Sequence, residues 1–144
     1  MKRNKHSLSH HHLCSANMGQ LIPVGCVEVL PGDTFQHSTS ALVRMSPMLA
    51  PVMHPTQVRL HHFYVPNRLV WDGWEDFITG GDDGNNTDSP PQVTINETHG
   101  NTVVDYLGLE IPEASSGITY NANSLALRCY NKIYNEFYRD QDLA

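Results

Sequence analysis

Apolar and polar residues alternate through the first half of the chain, and helical spacing takes over in parts of the second. The clearest alternation runs from Val58 to Val65. Val58, Leu60, His62 and Tyr64 face one way there, and Arg59, His61, Phe63 and Val65 the other, because successive strand side chains point to opposite faces. Both faces are partly apolar, so the pattern predicts a sandwich strand covered on both sides, ended by Pro66. Thr34 to Met45 predicts a second, half-buried strand, with Ala41, Val43 and Met45 set against Ser40, Leu42 and Arg44; Leu42 is the residue that spoils the alternation. Between the two, Pro47, Pro51 and Pro55 interrupt Met48, Leu49, Val52 and Met53. Prolines at that spacing remove ladder donors, which predicts an apolar extended connector, buried or at an interface. Upstream, Leu21 to Leu30 reads as an irregular extended segment or edge strand because of Pro23 and Gly25, and Pro31-Gly32-Asp33 supplies a turn.

Val70, Trp74, Phe77 and Ile78 then follow at i, i+4, i+7 and i+8, an amphipathic helix over about 69–79 with Asp72 and Glu75 near its start and Gly80 just after its end. Gly80 to Pro91 is a polar surface loop, Gln92 to Ile95 a short strand candidate, and Val103 to Leu109 a brief helical turn ended by Gly108. The longest helix spans about 123–139. Leu125, Cys129, Ile133 and Phe137 form its stripe, flanked by Ala126, Tyr130 and Tyr134, and Asn121, Asn123 or Ser124 could cap it. No internal repeat is visible.

At 144 residues the chain has room for one domain. Its 9 Pro and 10 Gly, and a helix pattern that runs almost into Ala144, predict part of a larger fold. The formal charge of −6 is the wrong sign for a surface that grips nucleic acid throughout. Phosphate contact is therefore local, at Lys2, Arg3 and Lys5, followed by His6, His10, His11 and His12. Residues 1–20 are polar and aperiodic, which predicts a flexible arm that orders against a partner. Cys14, Cys26 and Cys129 match neither CxxC spacing nor a disulfide framework, so free thiols in a reducing compartment are expected. No apolar run approaches the roughly 18 residues that span a bilayer, and residues 1–20 lack a signal-peptide core; a soluble chain without membrane contact is expected.

Candidate chemistry adds little. His10, His11, His12, Cys14 and Cys26 are metal-ligand types, but three adjacent histidines in an arm cannot fix a tetrahedron without a second anchored pair, so no metal site is assigned. His61 and His62 face opposite sides of their strand and cannot chelate together. No oxyanion-type motif accompanies Cys14, and catalysis is not expected. Asp82, Asp83 and Asp88 lack the ligand alternation of a calcium loop, and Asn96-Glu-Thr98 is a glycosylation triplet with no route to the modifying enzymes. Trp71, Trp74, Tyr130, Tyr134, Phe137 and Tyr138 could stack bases, but their helical spacing favours packing against a sheet or a neighbouring subunit.

Several runs keep their order along the chain: Leu30-Pro-Gly-Asp-Thr-Phe35, Pro47 to Met53, Phe63 to Phe77 with its Val65-Pro-Asn-Arg-Leu-Val-Trp71 centre, Asp105-Tyr-Leu-Gly-Leu109, and Arg128 to Leu143. Over about residues 20–143 the chain thereby resembles the N-terminal part of the major capsid proteins of the Microviridae, the gokushovirus type in particular. Ala126 and Leu127 stand where that family usually has Pro-Phe, and Cys129 where it has Ala, which puts the helix start earlier here.

The resemblance implies an eight-stranded antiparallel jelly roll with helical insertions near 69–79 and 123–139, only partly covered by residues 21–144. It also implies a structural, non-enzymatic role without cofactors: self-assembly into a T=1 icosahedral shell around single-stranded DNA. The expected partners are other copies of the chain, scaffolding and other virion proteins, and the packaged DNA, in virions assembled in the host cytoplasm. The expected interface and core residues are Phe63, Pro66, Arg68, Trp71, Trp74 and Phe77 at the strand-to-helix corner, and Tyr130, Tyr134, Phe137 and Arg139 in the last helix. Arg68 and Arg139 are expected to fork to carboxylates or carbonyls of a neighbour. A nucleic-acid-binding accessory protein that uses the basic arm is the alternative. A jelly-roll sugar-binding or metal-dependent module is a third and weaker one.

Overall fold

A computed structural model describes residues 4–143; Lys2 and Arg3 of the basic arm lie outside the described residues. The chain divides into two units, Val27–Tyr64 and a second that joins residues up to Cys26 to those from Val65 onward.

Val27–Tyr64 contains the expected turn at Pro31-Gly32-Asp33. The Asp33 amide donates to the Leu30 carbonyl at 3.1 Å, the Leu30 amide donates to Asp33 Oδ2 at 3.2 Å, and Gly32 takes φ 82°, which favours glycine. The strands expected over Thr34–Met45 and Val58–Val65 are not formed. Nor is Val58–Val65 covered on both sides: Val58 and Tyr64 are 57% and 72% exposed. A strand is defined by its ladder, and no partner for either segment lies among the described residues. The alternation nonetheless survives in the side chains. His61 and Phe63 meet edge to face on one side, while His62 turns to His37, with ring centroids 4.5 Å apart.

The second unit is built around a two-stranded antiparallel sheet, β1 (Gln92–Ile95) and β2 (Tyr120–Asn123). This is a fraction of the eight strands that the resemblance implies. β1 occupies the residues the sequence predicts, whereas β2 was not anticipated. The register pairs Val93 with Ala122 and Ile95 with Tyr120 on one face. On the other, Gln92 meets Asn123 and Thr94 meets Asn121, where Thr94 Oγ1 donates to Asn121 Oδ1 at 2.8 Å. Asn96 ends β1 by capping a 3-10 turn, Glu97–His99: its side chain accepts from the Thr98 amide, and its own amide donates to His99 Nδ1. The helical turn α1 (Trp74–Thr79) precedes the sheet, and α2 (Val103–Tyr106) lies in the β1–β2 connection, followed by Gly108 at φ 90° as expected. α3 (Leu125–Ile133) follows β2 directly and widens into a π turn over Tyr134–Tyr138, where the Arg139 amide donates to the Tyr134 carbonyl at 2.8 Å. Together α3 and the π turn fill most of the predicted 123–139 helix. Ser124 is the N-cap residue without a side-chain cap bond, and Asn123 before it accepts from the Leu125 amide at 2.8 Å.

Among the described residues only Ile95, Val104 and Ser124 are buried, at 0%, 5% and 5% exposure. With so little interior, one core side chain carries much of the sheet's stability. Ile95→Ala should lower unfolding stability by about 2–4 kcal/mol, read as a shift in the urea midpoint followed by far-ultraviolet circular dichroism.

Candidate subunit interface

Pro66, at φ −64° and ψ 139°, turns the chain into a 3-10 turn over Asn67–Leu69. The Leu69 amide donates to the Pro66 carbonyl, and the Val70 and Trp71 amides share that of Asn67. α1 starts only at Trp74, later than the apolar spacing predicts, because Gly73 sits at its N-cap with the Trp71 indole folded over it. A Cβ on Gly73 would come within 2.9 Å of Trp71 Nε1. Glu75 and Asp76 then lie in the first turn, where the helix dipole favours negative charge. Gly80 ends the helix at φ 87°, its amide donating to the Asp76 carbonyl at 2.8 Å.

This corner gathers Trp71, Trp74 and Phe77 into one cluster. Their ring centroids are 6.2 Å (Trp71 to Trp74), 5.3 Å (Trp71 to Phe77) and 5.9 Å (Trp74 to Phe77) apart, within the range in which aromatic pairs attract. Both tryptophans are half-buried, while Phe77 and Ile78 remain exposed. Arg68 is exposed too. Phe63, expected beside them, belongs to the other unit.

A guanidinium joins α3 to the corner: Arg128 Nη1 donates to the Val70 carbonyl at 3.1 Å. Arg68 and Arg139, which the sequence offers for contact with a neighbouring subunit, are exposed. Arg128 stood in the motif that carries the resemblance, but no periodic signal marked its partner 58 residues away. Further along α3, the Tyr130 hydroxyl donates to the Leu21 carbonyl at 2.6 Å. Burial raises the Tyr130 phenol above its ordinary value, with Tyr134 adding to the rise, and burial followed by the neighbouring Cys26 raises the Cys129 thiol. Lys132 and Glu136 pair at 2.6 Å on the solvent side. The last turn is the least covered: Tyr134 and Phe137 are 43% and 64% exposed.

The sequence's remaining candidates are scattered. Lys5 is exposed. The three cysteines form no disulfide, and among the described residues no group of three His, Cys, Asp or Glu side chains is placed to hold a metal ion. No helix among them is long and apolar enough to cross a membrane.

The family model described as "Capsid protein (F protein)" matches residues 1–144. "Capsid protein VP1" of Chlamydia phage 1 is 39% identical over 153 residues, covering 99% of this chain and 25% of the relative. "Capsid protein VP1" of Bdellovibrio phage phiMH2K is 36% identical, covering 85% of this chain and 23% of the relative, and "Capsid protein F" of Escherichia phage G4 is 28% identical, covering 95% and 30%. The chain spans about a quarter of the length of the curated relatives it matches. No solved structure matches it.

The indole over Gly73 makes the corner sensitive to a single methyl group. Gly73→Ala should displace Trp71, cost about 1–3 kcal/mol by overpacking, and shift the tryptophan emission toward that of a solvent-exposed ring, measured by steady-state fluorescence.

Proposed function

On the premise that the chain belongs to the capsid protein (F protein) family, we propose that it is a structural segment of a small icosahedral single-stranded DNA phage capsid. Self-association into a T=1 shell, through apolar surface that the segment cannot bury by itself, is its mechanism. The observation that carries this reading is the exposure of apolar side chains at the end of α3 and on α1, Phe137 at 64%, Tyr134 at 43% and Ile78 at 61%, in a unit with almost no core. Fully burying a side chain of this kind contributes roughly 1.5–3 kcal/mol, so such residues on successive turns favour contact with protein over contact with water. The remaining strands of an eight-stranded jelly roll come, in this reading, from the rest of a longer subunit. They would pair with the alternating segments of Val27–Tyr64.

Pro66, Trp71, Trp74, Phe77 and Tyr130 then form the packed side of the interface, with Phe63, Arg68, Tyr134, Phe137 and Arg139 presented to neighbouring subunits. Lys5, with Lys2 and Arg3 before it, meets DNA phosphate as a weak local contact, since three charges give modest affinity that salt removes. Scaffolding and other virion proteins are further partners, in particles assembled in the host cytoplasm.

Two measurements test the reading. The subunit in purified particles from the source should carry this sequence within a chain several times heavier than 16.1 kDa by intact mass; a 16.1 kDa product absent from any particle would sink it. Within that full subunit, Phe137→Glu should abolish assembly, read by sedimentation velocity, because a charge cannot be buried unpaired at an apolar contact.

A further inference from the structure

The N-terminal arm is tied to the body of its unit at two points. On α2, the Tyr106 hydroxyl donates to the Ser15 carbonyl at 2.9 Å, and on α3 the Tyr130 hydroxyl donates to the Leu21 carbonyl at 2.6 Å. Six residues separate the two acceptors, so this short stretch bridges both helices. Ile22 and Pro23, just beyond the second tie, are the only residues of the described arm that lose much exposure; the rest, from Asn4 to Cys26, is exposed. Beside the first tie a cavity of about 140 Å³ separates arm from body, lined by His10, His12 and Cys26 on the arm side and by Tyr106 and Leu107 on the other. His10 folds back against Gly25, where an added Cβ would lie 3.3 Å from its Nε2. Two tyrosine hydroxyls thus hold the described arm to the body on either side of this cavity.

The second tie falls on Tyr130, which flanks the α3 stripe one turn before the residues that the proposed function presents to neighbouring subunits. Tyr130 and Cys129 are partly covered, whereas Tyr134 and Phe137, one and two turns on, are open. Cys26 lies close enough to influence the Cys129 thiol. We propose that residues 15–23 are a strap, latched by Tyr106 and Tyr130, that lies beside the first half of α3 in the free chain and is displaced when a second copy packs along that helix. Contacts this sparse belong to the low-stability end of a structure, where local opening needs little free energy. The competition rests on the reading of α3 as a subunit contact; the strap itself does not.

The test uses the chain with Tyr106→Phe and Tyr130→Phe, which keep the rings and remove the hydroxyls. Tyr106 is the cleaner position because it lies off the α3 stripe. Alkylation of Cys129 and chymotryptic cleavage after Leu21 should each quicken roughly two- to tenfold in Tyr106→Phe, the factor expected for one net hydrogen bond. Cys14, exposed in the arm, should react at an unchanged rate and serves as the internal reference. Hydrogen exchange of the α3 amides checks that the helix persists. Unchanged Cys129 and Leu21 rates with α3 intact would overturn the strap. Faster rates with no gain in self-association of the full subunit by sedimentation velocity would leave the latch standing and overturn its competition with subunit packing. Faster rates together with stronger self-association are the result expected.

Discussion

Both donors of Ser124, its amide and its hydroxyl, converge on the Pro91 carbonyl at 2.9 Å, and the order of the second unit depends on that junction. Pro91 immediately precedes β1, while Ser124 separates β2 from α3. Fixing one against the other closes the open end of the two-stranded sheet and sets the point from which α3 departs. Ser124 is one of three buried residues among those described, so its two bonds are shielded from competing water. A buried hydroxyl that lost its acceptor would cost more than the hydrogen bond contributes. From this junction α3 runs where Arg128 can reach the Val70 carbonyl, and the corner cluster is thereby joined to the sheet.

That chain of dependence explains why polar contacts hold the unit together more than a hydrophobic core does. Tyr120 reaches the Glu110 carbonyl, Ser115 gives its amide to the Glu97 carboxylate, and Asp105 accepts from the Asn101 amide. Each ties a loop to a nearby element. Hydrogen bonds of this kind contribute about 1 kcal/mol net apiece, enough to select a conformation but not to offset the conformational entropy of ordering so many residues. The balance has to come from apolar surface, and most of that surface is still exposed. The chain spans about a quarter of the relatives it matches, and within that span polar contacts set the local geometry while much of the apolar surface stays open.

The parts of the fold that were legible are those governed by residues close in sequence. The Pro31-Gly32-Asp33 turn, β1, the Gly80 and Gly108 stops and the long helix all follow from local signals. β2 was missed because Tyr120-Asn-Ala-Asn123 has little apolar alternation. Its asparagines read as helix caps, yet Ser124 takes the N-cap position, Asn123 accepts from the first helical amide, and Asn121 takes its bond across the sheet from Thr94. The opposite error occurred at Thr34–Met45 and Val58–Val65. There the alternation is present and the ladder is not, since a period of two fixes which side chains share a face but supplies no partner strand. At the candidate interface the aromatic cluster was legible from spacing. The Arg128 bond was not, because a guanidinium bonding a carbonyl 58 residues away leaves no periodic trace.

The arm shows the same limit from the other side. A polar, aperiodic segment reads as disordered because it has too little apolar surface to offset the entropy of ordering. That inference weighs only what the segment itself can bury. Here the body supplies the donors, two phenols on neighbouring helices, and the arm need offer only main-chain carbonyls, which every residue has whatever its side chain. No composition rule applied to the arm alone can detect a tether of that kind. The relevant signal lies in tyrosines near apolar faces elsewhere in the sequence, whose hydroxyls seek a partner when their rings are covered. Tyr106 and Tyr130 meet that description. Such a tether is also weak by construction, since each phenol sets one net hydrogen bond against the freedom of a long, exposed arm.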